Sequence, residues 1–219
     1  MRLTSEGLFI KISGVTTEED ALFSIGLGAS AVGFDFALTP RQITVNAAHD
    51  IVRRLPHGAV SVGVFRQELP QRVVEIANTL GLSAVQIDGP ASNEDLAYIG
   101  ERVNTLLRMV PEGTERLALA SGVDYVVLPE RDDHAALLVA LSLVDDAGPR
   151  VPVIASGGLD AANVADVVRN YAVYGVDVRA GVESSPGIKD PALLGEFIAN
   201  ARWAYDHSYV ERHFDEWTL

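Results

Sequence analysis

Eight short apolar runs recur along this chain, separated by longer segments with helical spacing, and that alternation constrains the fold more than any other feature. The runs are LFIKI (8–12), AVGFDF (31–36), AVSVGVF (59–65), AVQI (84–87), TLLRMV (105–110), YVVL (125–128), VPVIA (151–155) and GVDVRA (175–180). Between them lie EEDALFSIGL, VNAAHDIVRRL, LPQRVVEIANTL, NEDLAYIGERV, HAALLVALSLVDDA and AANVADVVRNYA, and PALLGEFIANARWAY follows the last. The runs are rich in Val, Ile and Ala and largely apolar on both faces, the pattern of parallel strands covered from both sides. Eight βα units in a chain of 219 residues average about 27 residues each, the spacing of a compact (β/α)8 barrel. The expected fold is therefore α/β, a single TIM-barrel domain over residues 1–219, with 203–219 an aromatic extension of the last helix. A doubly wound open sheet is the alternative; it would put a glycine-rich phosphate turn after the first strand, whereas here the glycine-rich turns follow the seventh and eighth.

Helix starts carry local signals. Thr16 and Glu19 have the spacing of a capping box, and Leu69-Pro70 and Asp190-Pro191 put proline at a first helical position, where its missing N–H costs nothing. The formal charge of −13 argues against non-specific nucleic-acid binding, which requires Lys and Arg to neutralise phosphates. With no cysteine in the chain, disulfides and thiolate metal sites are excluded. No run approaches the ~18 apolar residues of a membrane span, and MRLTSEGLFIKISG has no apolar leader core, so a cytoplasmic protein without membrane partners is expected. The tail WAYDHSYVERHFDEWTL holds both tryptophans and two of the five histidines. It reads as aromatics closing the barrel's outer layer or, more sharply, as a homodimer contact. His207 and His213 lie six residues apart, poor spacing for one helical face, so no metal is expected there.

In a TIM barrel the chemistry sits on the loops after the strands, and phosphate commonly binds after strands seven and eight. Ser156-Gly157-Gly158-Leu159 ends the seventh run and leads into a helix expected at Asp160 or Ala161. Two glycines there let backbone N–H groups approach an anion closely. After the eighth run, Gly181-Val182-Glu183-Ser184-Ser185-Pro186-Gly187 suggests the start of a short helix. Gly157, Gly158, Gly181, Glu183 and Ser184 are thus the candidate phosphate-binding residues, and a phosphorylated small molecule is the expected partner. The bland alternative is a pair of tight turns with helix caps.

KISGVTTEEDALFSIGLGASAVGFDFA, IASGGLDAANV and YGVDVRAGVESSPGIKDPALLGEFI resemble the phosphoribosylanthranilate isomerase family of tryptophan biosynthesis, over most of the chain to about Arg202. The resemblance implies a cofactor-free Amadori-type isomerisation of N-(5′-phosphoribosyl)anthranilate to 1-(2-carboxyphenylamino)-1-deoxyribulose 5-phosphate, by a general acid and a general base. It implies substrate-binding roles for Lys11, for Arg41 of Thr39-Pro40-Arg41 as partner of the anthranilate carboxylate, and for Asp177, expected to pair with an inward cation.

The same positions also depart from the family. Its base is the cysteine of Lys-Ile-Cys-Gly, here Ser13, and a serine hydroxyl needs an adjacent base to take its proton. Its acid is an aspartate in a long glycine-rich loop after strand six; the loop is shortened here to Pro129-Glu130-Arg131-Asp132-Asp133-His134. Asp133 falls on the acid's position and equally fits the cap and first turn of the next helix. Gln-Leu-His-Gly reads Gln86-Ile87-Asp88-Gly89, so Asp88 is a new carboxylate, a base if its pKa is raised or else a partner of Arg179 or Arg108. Ser-Ser before Gly-Val-Glu reads Arg179-Ala180. Candidate catalytic residues are therefore Ser13, Asp133 and Asp88. The function classes left open are an isomerase with rearranged acid and base, another enzyme on the same scaffold, and a non-catalytic phosphometabolite-binding barrel.

Overall fold

The computed structural model describes residues 3, 7–110, 123–128, 137–142 and 151–210. Eight parallel strands close into a barrel in sequence order: β1 (Phe9–Ser13), β2 (Ala31–Asp35), β3 (Val60–Phe65), β4 (Ala84–Ile87), β5 (Leu106–Met109), β6 (Tyr125–Val127), β7 (Val153–Ser156) and β8 (Gly175–Val178). β8 returns to β1 with Lys11 opposite Asp177, and that register builds the centre of the site. Each strand lies within two residues of the apolar run that predicted it. Outside them the described helices are α1 (Glu18–Gly26), α2 (Val45–Val52), α3 (Pro70–Leu80), α4 (Asn93–Gly100), α5 (137–142), α6 (Val164–Asn170) and α7 (Pro191–Asp206).

Strand period two divides the apolar side chains into two layers. Ile10, Ile12, Val32, Phe34, Val85 and Ile87 face outward into the layer shared with the helices. Phe9, Ala31, Val60, Val62, Ala84, Leu107, Tyr125, Val127 and Ile154 fill the barrel interior. Continuing the inward parity toward the strand C-termini reaches Lys11 and Ser13, Asp35, Gln86 and Asp88, Ser156, and Asp177 and Arg179. The interior is thus apolar at its base and polar at its top.

Three local expectations change. The N-cap of α1 is Thr17, whose side chain accepts from the Asp20 amide at 3.1 Å; the Thr16 hydroxyl instead donates to the Gly187 carbonyl at 2.6 Å. α6 starts at Val164, not at Asp160 or Ala161, because Asp160 Oδ1 accepts from the Ala162 and Asn163 amides and holds a turn first. The segment after β8 forms no helix but an antiparallel hairpin, β9 (Glu183–Ser185) with β10 (Ile188–Lys189). Pro186 followed by Gly187 at φ +86° supplies the two central residues that a type II turn requires. Proline does open α3 and α7, and Asp190 caps α7 through the Ala192 and Leu193 amides. In the tail, α7 carries Trp203 to Asp206 and ends at His207, whose ring stacks on Trp203 at 4.7 Å; residues 211–219 lie outside the described ones.

Candidate active site

A cavity of about 360 Å³ opens at the C-terminal end of the barrel, lined by Ser13, Asp35, Gln86, Asp88, Ser156, Gly157, Gly158, Asp160, Asp177, Arg179 and Gly181 among others. Its size lies within the usual range of small-molecule sites.

On the floor, three residues close a triangle. Lys11 Nζ donates to Ser13 Oγ at 2.5 Å, Ser13 Oγ donates to Asp177 Oδ1 at 2.6 Å, and Lys11 Nζ pairs with Asp177 Oδ2 at 3.0 Å. Lys11 is fully buried and Asp177 nearly so, so each charge compensates the other where water is excluded. Ser156 Oγ adds a longer bond to Asp177 Oδ2 at 3.3 Å. Gly33 on β2 leaves the room: a Cβ there would lie 3.0 Å from Ser13 Oγ and 3.3 Å from Lys11 Cε. Ser13 is thus held between a proton acceptor and a cation, the arrangement in which a hydroxyl passes its proton on.

Just after β4, Asp88 lines the cavity with its side chain only 3% exposed. Burial pushes its carboxyl above the ordinary range, against the Gln86 hydrogen bond and the Arg66 charge that pull it down. Gln86 Nε2 donates to Asp88 Oδ1 at 2.8 Å, and Gln86 Oε1 is buried with no donor among the described residues. The cation beside Asp88 is Arg66, at 3.6 Å. Arg108, outward on β5, gives Nη1 to the carbonyls of Ile87 and Gly89. Asp35 lies between Arg66 and Arg179, 3.7 Å from each.

At the other side, Gly157 and Gly158 take φ +95° and +61°, left-handed values natural only to glycine. Gly181 meets this loop: a Cβ on it would stand 2.0 Å from the Leu159 carbonyl oxygen, and Asp160 and Gly181 form an isolated parallel bridge. Backbone from both loops therefore lines one wall. Glu183 and Ser184 do not reach it, because the hairpin turns them away. Glu183 accepts both Nε and Nη2 of Arg41, at 3.0 and 2.7 Å, and Lys189 Nζ at 2.9 Å. Burial works against its charge, but the Arg41 and Lys189 bonds outweigh it and hold the carboxyl below the ordinary range. A carboxylate so engaged is no anion ligand; it fastens Arg41, and Lys189 also bonds the Ser13 carbonyl at 2.6 Å.

The structure thus brings Ser13, Asp177, Asp88, Gly157, Gly158 and Gly181 to one cavity, with Lys11 buried beneath it against Ser13 and Asp177, and sets Arg41, Glu183 and Ser184 outside its lining; Asp133 lies outside the described residues. Asp35, Arg66 and Lys189 had no role in the sequence reading. A charged residue at the inward parity of an apolar strand was the available signal for Asp35. Arg66 gave none, since its partners Asp35 and Asp88 come from other strands, and Lys189 gave none, since its pairing depends on the hairpin and on the end of β1.

The family model described as N-(5′-phosphoribosyl)anthranilate (PRA) isomerase matches residues 10–200. An N-(5′-phosphoribosyl)anthranilate isomerase of Pseudomonas paraeruginosa is 38% identical over 203 residues, covering 88% of this chain and 94% of its own. The crystal structure of phosphoribosyl anthranilate isomerase from Thermotoga maritima superposes with a TM-score of 0.81 at 32% identity, over 90% of this chain and 99% of that one. A phosphoribosyl anthranilate isomerase in complex with reduced 1-(o-carboxyphenylamino)-1-deoxyribulose 5-phosphate gives 0.80 at 34%, with the same coverage.

Proposed function

The chain belongs to the N-(5′-phosphoribosyl)anthranilate isomerase family, and from that premise we propose that it isomerises N-(5′-phosphoribosyl)anthranilate to 1-(2-carboxyphenylamino)-1-deoxyribulose 5-phosphate with a rearranged acid and base. The observation that carries the reading is the Lys11–Ser13–Asp177 triangle at the position where the family's resemblance puts its base.

The reaction is an internal redox exchange between two neighbouring carbons, so it needs no external oxidant or reductant. Asp88, whose carboxyl burial pushes toward its protonated form, gives its proton to the ribose ring oxygen as the C1′–O bond breaks and the amine lone pair forms C=N. The C2′ proton then passes to Ser13 Oγ while the Ser13 proton passes to Asp177 Oδ1, and Lys11 stabilises the negative charge that develops on the oxygen. The resulting enolamine tautomerises to the ketose. The backbone of Gly157, Gly158 and Gly181 holds the phosphate meanwhile, since glycine N–H groups can approach an anion that side chains would keep away.

The test is the isomerase assay with purified protein and its Ser13→Cys variant. A thiol ionises far more readily than a hydroxyl, so the cysteine variant is expected to raise kcat by about tenfold or more, a barrier lowered by about 1.4 kcal/mol. Turnover by neither protein, with tight binding of the reduced product analogue, would favour a non-catalytic phosphometabolite-binding barrel instead.

A further inference from the structure

In this mechanism Gln86 serves Asp88 with only half of its carboxamide. The side chain lines the cavity in a residue just 2% exposed. Its Nε2 donates to Asp88 Oδ1 at 2.8 Å, which orients the amide, while Oε1 has no donor among the described residues. A buried carbonyl oxygen left without a donor destabilises the fold. The other buried side-chain atom of this kind among the described residues is Arg66 Nε, and Arg66 is not part of the cavity lining. Gln86 Oε1 is therefore the buried side-chain acceptor that this cavity leaves for a ligand to fill.

Its position narrows what can fill it. Gln86 stands on β4 two residues before Asp88, on the same inward parity and nearer the floor where Ser13 meets Lys11 and Asp177. A substrate with its ring oxygen at Asp88 and its C2′ proton at Ser13 spans that interval. The acceptor needs a donor from the ligand, and the substrate has few. The phosphate and the carboxylate are anions, and the anilino N–H is bonded internally to the ortho carboxylate. The sugar hydroxyls remain, and the one on C2′ is attached to the reacting carbon.

Resting on the isomerase reading, we infer that Gln86 is a substrate-binding residue whose Oε1 accepts a hydrogen bond from the C2′ hydroxyl, with Asp88 holding the amide in that orientation. The bond strengthens as the reaction proceeds. When C2′ loses its proton the hydroxyl becomes an enol, a stronger acid and so a better donor, and the contact tightens toward the transition state. In the ketose that oxygen has no hydrogen left and faces another acceptor, which favours release.

Calorimetric titration with two ligands tests this: reduced 1-(o-carboxyphenylamino)-1-deoxyribulose 5-phosphate, whose C2 carries a hydroxyl, and its counterpart with fluorine there, which keeps the size but cannot donate. Leaving the buried acceptor unpaired should weaken binding about 5- to 50-fold, so the unaltered protein is expected to prefer the hydroxyl ligand by that factor. Gln86→Met, similar in shape but without the acceptor, should bring the two ligands within about twofold of each other. Asp88→Asn, which keeps an acceptor for Nε2, should retain the preference. A preference that survives in Gln86→Met would overturn the inference, and its loss in Asp88→Asn would give the hydroxyl to Asp88 instead and overturn it too. If the unaltered protein binds neither ligand, the isomerase reading falls and the inference with it; if it binds both alike, the inference alone fails and that reading stands.

Discussion

At the scale of single residues, the site is set by which inward positions carry charge and how each charge is compensated. Lys11 and Asp177 neutralise one another across the β1–β8 seam, whereas Asp88 has a neutral amide and a guanidinium at 3.6 Å, so burial raises its pKa. A carboxyl raised in the folded state binds its proton more tightly there than when unfolded. Stability then falls as pH rises from the unfolded value of about 3.8 through the folded one. Asp88→Asn keeps an acceptor for Gln86 and removes that cost. It should therefore be as stable as the parent or more so at neutral pH, while kcat drops by about 100-fold or more if Asp88 is the acid. Chemical denaturation and steady-state kinetics on one preparation check both; an unchanged kcat would leave Asp88 a spectator. Asp88 and Ser13 could be read as departures from a motif, but the compensation that decides their behaviour could not, because Arg66 and Asp177 come from other strands.

At the scale of elements, the loops after β7 and β8 work as one unit because Gly181 lets them touch. Any side chain at Gly181 would collide with the Leu159 backbone, which cannot step aside as a flexible side chain can. Gly181→Ala should cost at least about 2 kcal/mol of stability and weaken inorganic phosphate binding, as thermal unfolding with and without phosphate would show. Parent-like unfolding in both conditions would mean that the two loops are not joined there. That both glycine-rich loops stand at the rim was legible, since they fall in the units after the seventh and eighth strands. The hairpin was less so. Gly181 through Gly187 has small residues suited equally to a helix start, and it is the Pro186-Gly187 turn and the Thr16–Gly187 bond that favour strands.

For the whole molecule, the Glu183 carboxylate joins the segment after β2, through Arg41, to β10, through Lys189, and Lys189 in turn holds the end of β1. Its pKa lies below the unfolded value of about 4.5, so its contribution is present above that value and is lost as pH falls through the lower folded one. Glu183→Gln is expected to be less stable than the parent at neutral pH, with the gap closing below about pH 4.5; a gap constant from pH 7 to 3 in urea unfolding would show that the charge is not what matters. Among the described residues, no helix is long and apolar enough to cross a membrane, in keeping with the lack of any long apolar run. The chain alone determined the barrel, because eight apolar runs at one spacing have to be covered on both faces and parallel closure does this without leaving an edge. It also determined where the glycine turns and the unusual rim residues stand. Only the tertiary structure decided what those residues meet. Ser13 and Asp177 are 164 positions apart and come within hydrogen-bonding distance because β8 closes on β1, and the pairings of Arg41 and Arg66 likewise join segments far apart in the chain.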